Sequence, residues 1–164
     1  MYIGKRTFYL VLFLQSFLVS AVYGDKFISV VYGDKKEVIR EYWDNGNLKI
    51  EEPYENGFGH GLGTAWYENG SKESEQYYKN GELDGLAIRW YENGNKKSEV
   101  HYKNGELEGF GTIWFKNSNM KVAEFYIEGE REGLQFTWDE RGNKKSVIYY
   151  QNGEEGDGMF WSEV

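Results

Sequence analysis

The chain has 164 residues, 40% of them apolar and 18% aromatic, with 21 glycines against a single proline. That composition excludes disorder, which goes with few aromatics, and it excludes collagen-like or Pro-rich low complexity. Acidic residues number 27 against 19 basic, a formal charge of −8, which speaks against nucleic acid as a partner because phosphate binding takes a positive surface. With no cysteine there is no disulfide, thiolate chemistry or Cys-ligated zinc, and only His60 and His101 remain for histidine chemistry.

Residues 1–24 read as a secretory signal peptide. Lys5 and Arg6 precede an apolar run from Phe8 to Val22, and small residues allow cleavage after Ala21 or Gly24. The run is shorter than the roughly 20 residues that span a bilayer. Cleavage removes two bases and no acid, so the remaining chain carries −10. The expected location is therefore outside the cytoplasm, periplasmic or secreted. Residues 25–41 follow as an N-terminal capping hairpin around Gly33-Asp34.

From residue 42 to 158 the chain repeats itself every 24 residues. Trp66, Trp90, Trp114 and Trp138 keep that step, as do Tyr54, Tyr78, Tyr102, Tyr126 and Tyr150. Two turn series accompany them. One runs Asn45-Gly46, Asn69-Gly70, Asn93-Gly94, Asn117-Ser118, Arg141-Gly142; the other runs Asn56-Gly57, Asn80-Gly81, Asn104-Gly105, Glu128-Gly129, Asn152-Gly153. Asn-Gly signals a type I′ hairpin turn, which needs positive φ at both central residues. Between turns lie strand-length runs such as Leu86 to Tyr91 and Ser98 to Tyr102, and nothing has helical periodicity. The fold class expected is all-β: an elongated, single-sheet antiparallel meander of about five hairpin repeats, closed by a C-terminal cap over 159–164. About a dozen strands at ~4.8 Å spacing make a body some 50 Å long. Its stability is expected from a buried structural ladder of the Trp and Tyr series, and Gly63 and Gly111 mark close approaches within strands.

These residues resemble MORN repeats, in particular the bacterial variant of the YwqK-type antitoxin family. The resemblance rests on Trp66-Tyr67-Glu68-Asn69-Gly70 with Lys72, then Tyr78-Lys79-Asn80-Gly81 and Gly85, repeated from Trp90. It implies a non-catalytic, elongated β-meander used in protein association, and through the family label an antitoxin-like neutraliser. Ser118, Glu128, Arg141 and Asp157 depart from the pattern and suggest degenerate or capping units towards the C-terminus.

No catalytic or metal site is expected, and no cofactor. The second turns are acidic, as in Glu82-Leu83-Asp84 and Glu106-Leu107-Glu108. Each loop brings two carboxylates where calcium takes about six to eight oxygens, so solvated turns explain them. The column Tyr67, Tyr91, Phe115 and the column Tyr77, His101, Phe125, Tyr149 have two placements open: an exposed aromatic binding strip, or packing within the twist of the sheet. The partner expected is a protein bound through an aromatic sheet face. A neutral glycan is compatible with aromatic stacking, an acidic chain disfavours anionic membranes, and open edge strands invite a dimer.

Overall fold

The computed structural model describes residues 36–160 in full and, N-terminal to them, the backbone of three strands. All the described strands form one open antiparallel sheet in meander order. In chain order they are β1 (Leu10–Phe13), β2 (Phe17–Tyr23), β3 (Lys26–Gly33), β4 (Lys36–Tyr42), β5 (Leu48–Glu55), β6 (Phe58–Gly59), β7 (Gly61–Trp66), β8 (Lys72–Lys79) and β9 (Glu82–Trp90). There follow β10 (Lys96–Lys103), β11 (Glu106–Leu107), β12 (Gly109–Trp114), β13 (Met120–Ile127), β14 (Glu130–Arg131), β15 (Gly133–Trp138), β16 (Lys144–Gln151) and β17 (Glu154–Phe160). The two-residue strands β6, β11 and β14 run on into β7, β12 and β15 after a single residue, so the 17 strands make fourteen rungs. The one-sheet meander read from the repeat is the fold. Within the proposed leader only the backbones of β1 and β2 are described; β3 and β4 pair from Gly33↔Lys36 to Ile28↔Glu41. Residues 161–164 of the expected cap lie outside the described residues.

The two turn series have different physics. At the second turn both central residues are left-handed, for example Asn80 at φ 53° and Gly81 at φ 90°, as a type I′ turn demands. At the first turn only the glycine position is left-handed. The Gly46 N–H bonds the Trp43 carbonyl and the Trp43 N–H bonds Asn47, the pattern of a type I turn followed by a glycine bulge. So the type I′ expectation fails for this series. Its asparagines serve through their side chains instead: Asn45 Oδ1 accepts from the Asn47 N–H, and Asn45 Nδ2 donates to the Glu68 carbonyl one repeat on. Nor do the substituted turns degrade. Ser118 takes φ 70° and Glu128 φ 49°, each closing the turn its repeat requires. Both are L-residues in the region glycine prefers, a local cost the neighbouring rungs hold in place.

A single sheet has no second layer, and the burial shows it. Among the described residues no side chain is fully enclosed, and the buried apolar set is Ala87, Val147, Ile148 and Tyr150. Trp66, Trp90, Trp114 and Trp138 are half-buried rather than core. The register also separates the expected ladder into two. Tyr78 packs against Gly59 and Gly63, and Gly63 alternates with Leu62 and Thr64, which share their face with Trp66. The ladder tyrosines Tyr54, Tyr78, Tyr102, Tyr126 and Tyr150 therefore line one face and the tryptophans the other. A Cβ on Gly63 would lie 3.1 Å from Tyr78 Cε2, and one on Gly111 3.3 Å from Val100 Cγ1, so both strand glycines mark the close approaches expected.

Candidate interaction surface

The tyrosine face is stitched to itself. Tyr54 donates to Glu52 and Tyr78 to Gln76, two residues back on the same strand. In the next-to-last repeat Glu124, only 8% exposed, accepts from Arg131 Nε at 3.0 Å and Gln135 Nε2 at 2.7 Å, while Arg131 lies over the Tyr150 ring. Burial first, and then the hydrogen bond to Glu124, pushes the Tyr126 hydroxyl up to about 12. A second interlock runs along the strand ends. Trp43 Nε1 donates to the Trp66 carbonyl, Tyr67 OH to Trp90 and Tyr91 OH to Trp114, each at 2.8–3.0 Å. Phe115 occupies the next slot and has no donor. There the surface opens into a groove of about 700 Å³ lined by Phe115, Lys121, Val122, Thr137, Trp138 and Phe160.

The tryptophan face changes character along its length. Lys72 lies over the Trp90 ring and Lys96 over Trp114, and each lysine is ion-paired to a glutamate on its own strand, Glu75 and Glu99. In the next repeat the two charged positions become Met120 and Ala123 together; in the last, the glutamate position is Val147. The column Leu62, Leu86, Phe110, Leu134 emerges from half-buried to exposed at Phe110 (75%) and Leu134 (51%). Phe110 meets Phe125 edge to face at 4.8 Å. With Met120, Tyr149 and Met159 also exposed, the face from β12 to β17 is a continuous apolar patch. Contiguous exposed apolar patches mark contact surfaces.

The two aromatic columns singled out in the sequence do not form one strip. Tyr77, His101, Phe125 and Tyr149 pair with Leu62, Leu86, Phe110 and Leu134, which puts them on the tryptophan face. Tyr77, His101 and Tyr149 are exposed there. Tyr67, Tyr91 and Phe115 alternate with the tryptophans, point to the opposite side and are half-buried, Tyr91 under Lys97 and Lys116 and Phe115 under Lys121. Met120, Phe110 and Leu134 were missed by sequence reasoning. The signal lay in the column rather than in any single residue: a Lys–Glu pair lost at both ends in one repeat.

The acidic turns hold the rungs together. The Glu108 carboxylate accepts the Glu128 N–H at 3.1 Å and the Glu132 carboxylate accepts the Asn152 N–H at 2.9 Å, one repeat on in each case. Turns also bond turns directly, Gly105 N–H to the Leu83 carbonyl and Gly129 N–H to Leu107. His60 fills the single-residue break between β6 and β7, with Nε2 3.7 Å from Glu55. Among the described residues no three acidic or histidine side chains converge as metal ligands would.

Comparison with protein families matches the MORN repeat variant at residues 38–56, 59–80, 83–104 and 131–152. The chain belongs to the MORN repeat variant family. No curated protein matches it. The matched segments leave out 105–130, the stretch that contains Phe110, Ser118, Met120, Ala123 and Glu128. The repeat that departs most from the family pattern thus opens the apolar patch.

Proposed function

We propose that this MORN-variant chain is a non-catalytic repeat scaffold, exported by its N-terminal leader, that binds protein through the tryptophan face of its last repeats. The observation that carries this reading is the concerted replacement of the Lys–Glu pair by Met120 and Ala123 beside exposed Phe110 and Leu134. Large aromatic and aliphatic anchors set affinity in protein interfaces, and their removal costs most. The MORN repeat variant match supports binding over chemistry, because repeat proteins work through extended surfaces built by stacked units. Lys5, Arg6 and the apolar run after them support export, with the association then in the envelope or beyond it.

A photo-crosslinking residue at Leu134, in cells producing the full chain, tests the reading. A discrete protein adduct that disappears with Phe110→Glu is the expected result. No adduct from position 134, or one indifferent to Phe110→Glu, refutes it.

A further inference from the structure

Charge is distributed unevenly between the two ends of the strands. First-turn segments 92–97, 116–121 and 139–145 hold seven basic residues against three acidic. Second-turn segments 103–109, 127–133 and 151–157 hold eight acidic against two basic. Segments 116–121 and 139–145 cap one end of the patch strands, with 92–97 next to them along the same margin, and 103–109, 127–133 and 151–157 cap the other end. Each copy of the chain is therefore apolar in the middle of this face, positive along one margin and negative along the other.

Such a face is complementary to itself. A two-fold axis running along the ribbon, across the strands, lays patch on patch and reverses the strand ends. The acidic margin of each copy then overlies the basic margin of the other. Two sheets packed this way lie about 10 Å apart with strands aligned to within about 30°, the geometry of a β-sandwich. Phe110, Met120, Leu134, Tyr149 and Met159 together expose about 500 Å² at ordinary side-chain sizes. With half-buried Phe125 and Phe136 and the two margins, the face approaches the ~800 Å² per partner that a stable interface takes. A closed two-fold contact also covers the patch completely, so that no apolar surface is left to propagate.

We propose that the occupant of this face is a second copy of the chain, packed sheet on sheet with its strands reversed. The inference rests on the protein-binding reading of the face and gives it a partner. Elsewhere the net charge of −8 repels, so the pairing depends on the margins as well as on the patch, and it weakens with salt.

Sedimentation equilibrium of the full chain tests it. A reversible dimer is expected at low salt, with the dissociation constant raised about 100-fold by Phe110→Glu with Leu134→Glu. Charge exchange tests the orientation. Glu106→Lys, Glu128→Lys, Glu130→Lys and Glu154→Lys together make both margins basic, and Lys116→Glu, Lys144→Glu and Lys145→Glu together make both acidic; neither variant alone should dimerise, while an equimolar mixture should. Circular dichroism verifies that each variant remains a β-sheet. A monomeric wild type at ~100 µM overturns the proposal, as does a dimer indifferent to the Phe110 and Leu134 changes or a mixture that stays monomeric. A monomeric wild type that still gives the Leu134 adduct, at the mass of another protein, overturns self-association and leaves the scaffold reading standing.

Discussion

Removing one oxygen atom tests how the rungs interlock. Tyr91 OH donates to the Trp114 carbonyl at 2.8 Å across one repeat, and Tyr91→Phe deletes that donor while keeping the ring under Lys97 and Lys116. A net hydrogen bond of this kind is worth about 0.5–1.5 kcal/mol, and the site is half-buried, so about 1 kcal/mol is expected. In a chain of this length that corresponds to a fall in Tm of about 2–4 °C. The chain carries the reciprocal experiment itself, because Phe115 holds the same slot one repeat on without a hydroxyl. Phe115→Tyr has the open groove of about 700 Å³ beside it, with Trp138 in its lining; a hydroxyl that repeats the bonds of Tyr67 and Tyr91 should gain up to about 1 kcal/mol. Urea unfolding followed by tryptophan fluorescence, with near-ultraviolet circular dichroism for Tm, measures both. No loss at Tyr91→Phe, or a clear loss at Phe115→Tyr, would show that the interlock contributes nothing and that ring packing alone orders the strand ends.

Three further outcomes follow from the geometry. Trp90→Ala should cost about 2 kcal/mol in the same urea series, below the ~3–5 kcal/mol of a fully buried tryptophan, because the ring is half-exposed and covered by Lys72 on one side. Gly63→Ala should destabilise by forcing the Tyr78 ring aside, whereas Gly109→Ala meets nothing within 4 Å and loses stability only through its φ of 85°; crystal structures of the two variants would show the ring moved in the first alone. Tyr126 ionises at about 12 in the fold because burial and Glu124 favour the neutral form. Its contribution is thus fully present below the ordinary tyrosine value of about 10 and is lost as pH rises through about 12. Absorbance at ~295 nm should show late tyrosine ionisation that Tyr126→Phe reduces, since burial also raises Tyr54, Tyr67, Tyr78 and Tyr150; an unchanged titration curve would contradict the burial.

The 24-residue period by itself determines the meander. Two turn signals per period set the strand lengths, and a strand of known ends alternates its side chains between two faces. This is why the meander, the left-handed Asn80-Gly81 pair and the close approach at Gly63 were legible in the chain. Those features depend on residues within one turn or one neighbouring strand. The fate of each aromatic column does not. Tyr67 and Tyr77 both read as candidates for an exposed strip, yet one donates to a carbonyl 23 residues away and is half-buried, and the other stands 48% exposed on the opposite face. In a one-layer sheet, what covers a ring is the side chain that leans from the rung beside it. That lean is set by bulges such as those at Ala65–Trp66 and Ile113–Trp114, by the lysines over the rings, and by hydrogen bonds between repeats. Periodicity assigned every residue to a column; only the packing of successive rungs decided which columns became scaffold and which became surface.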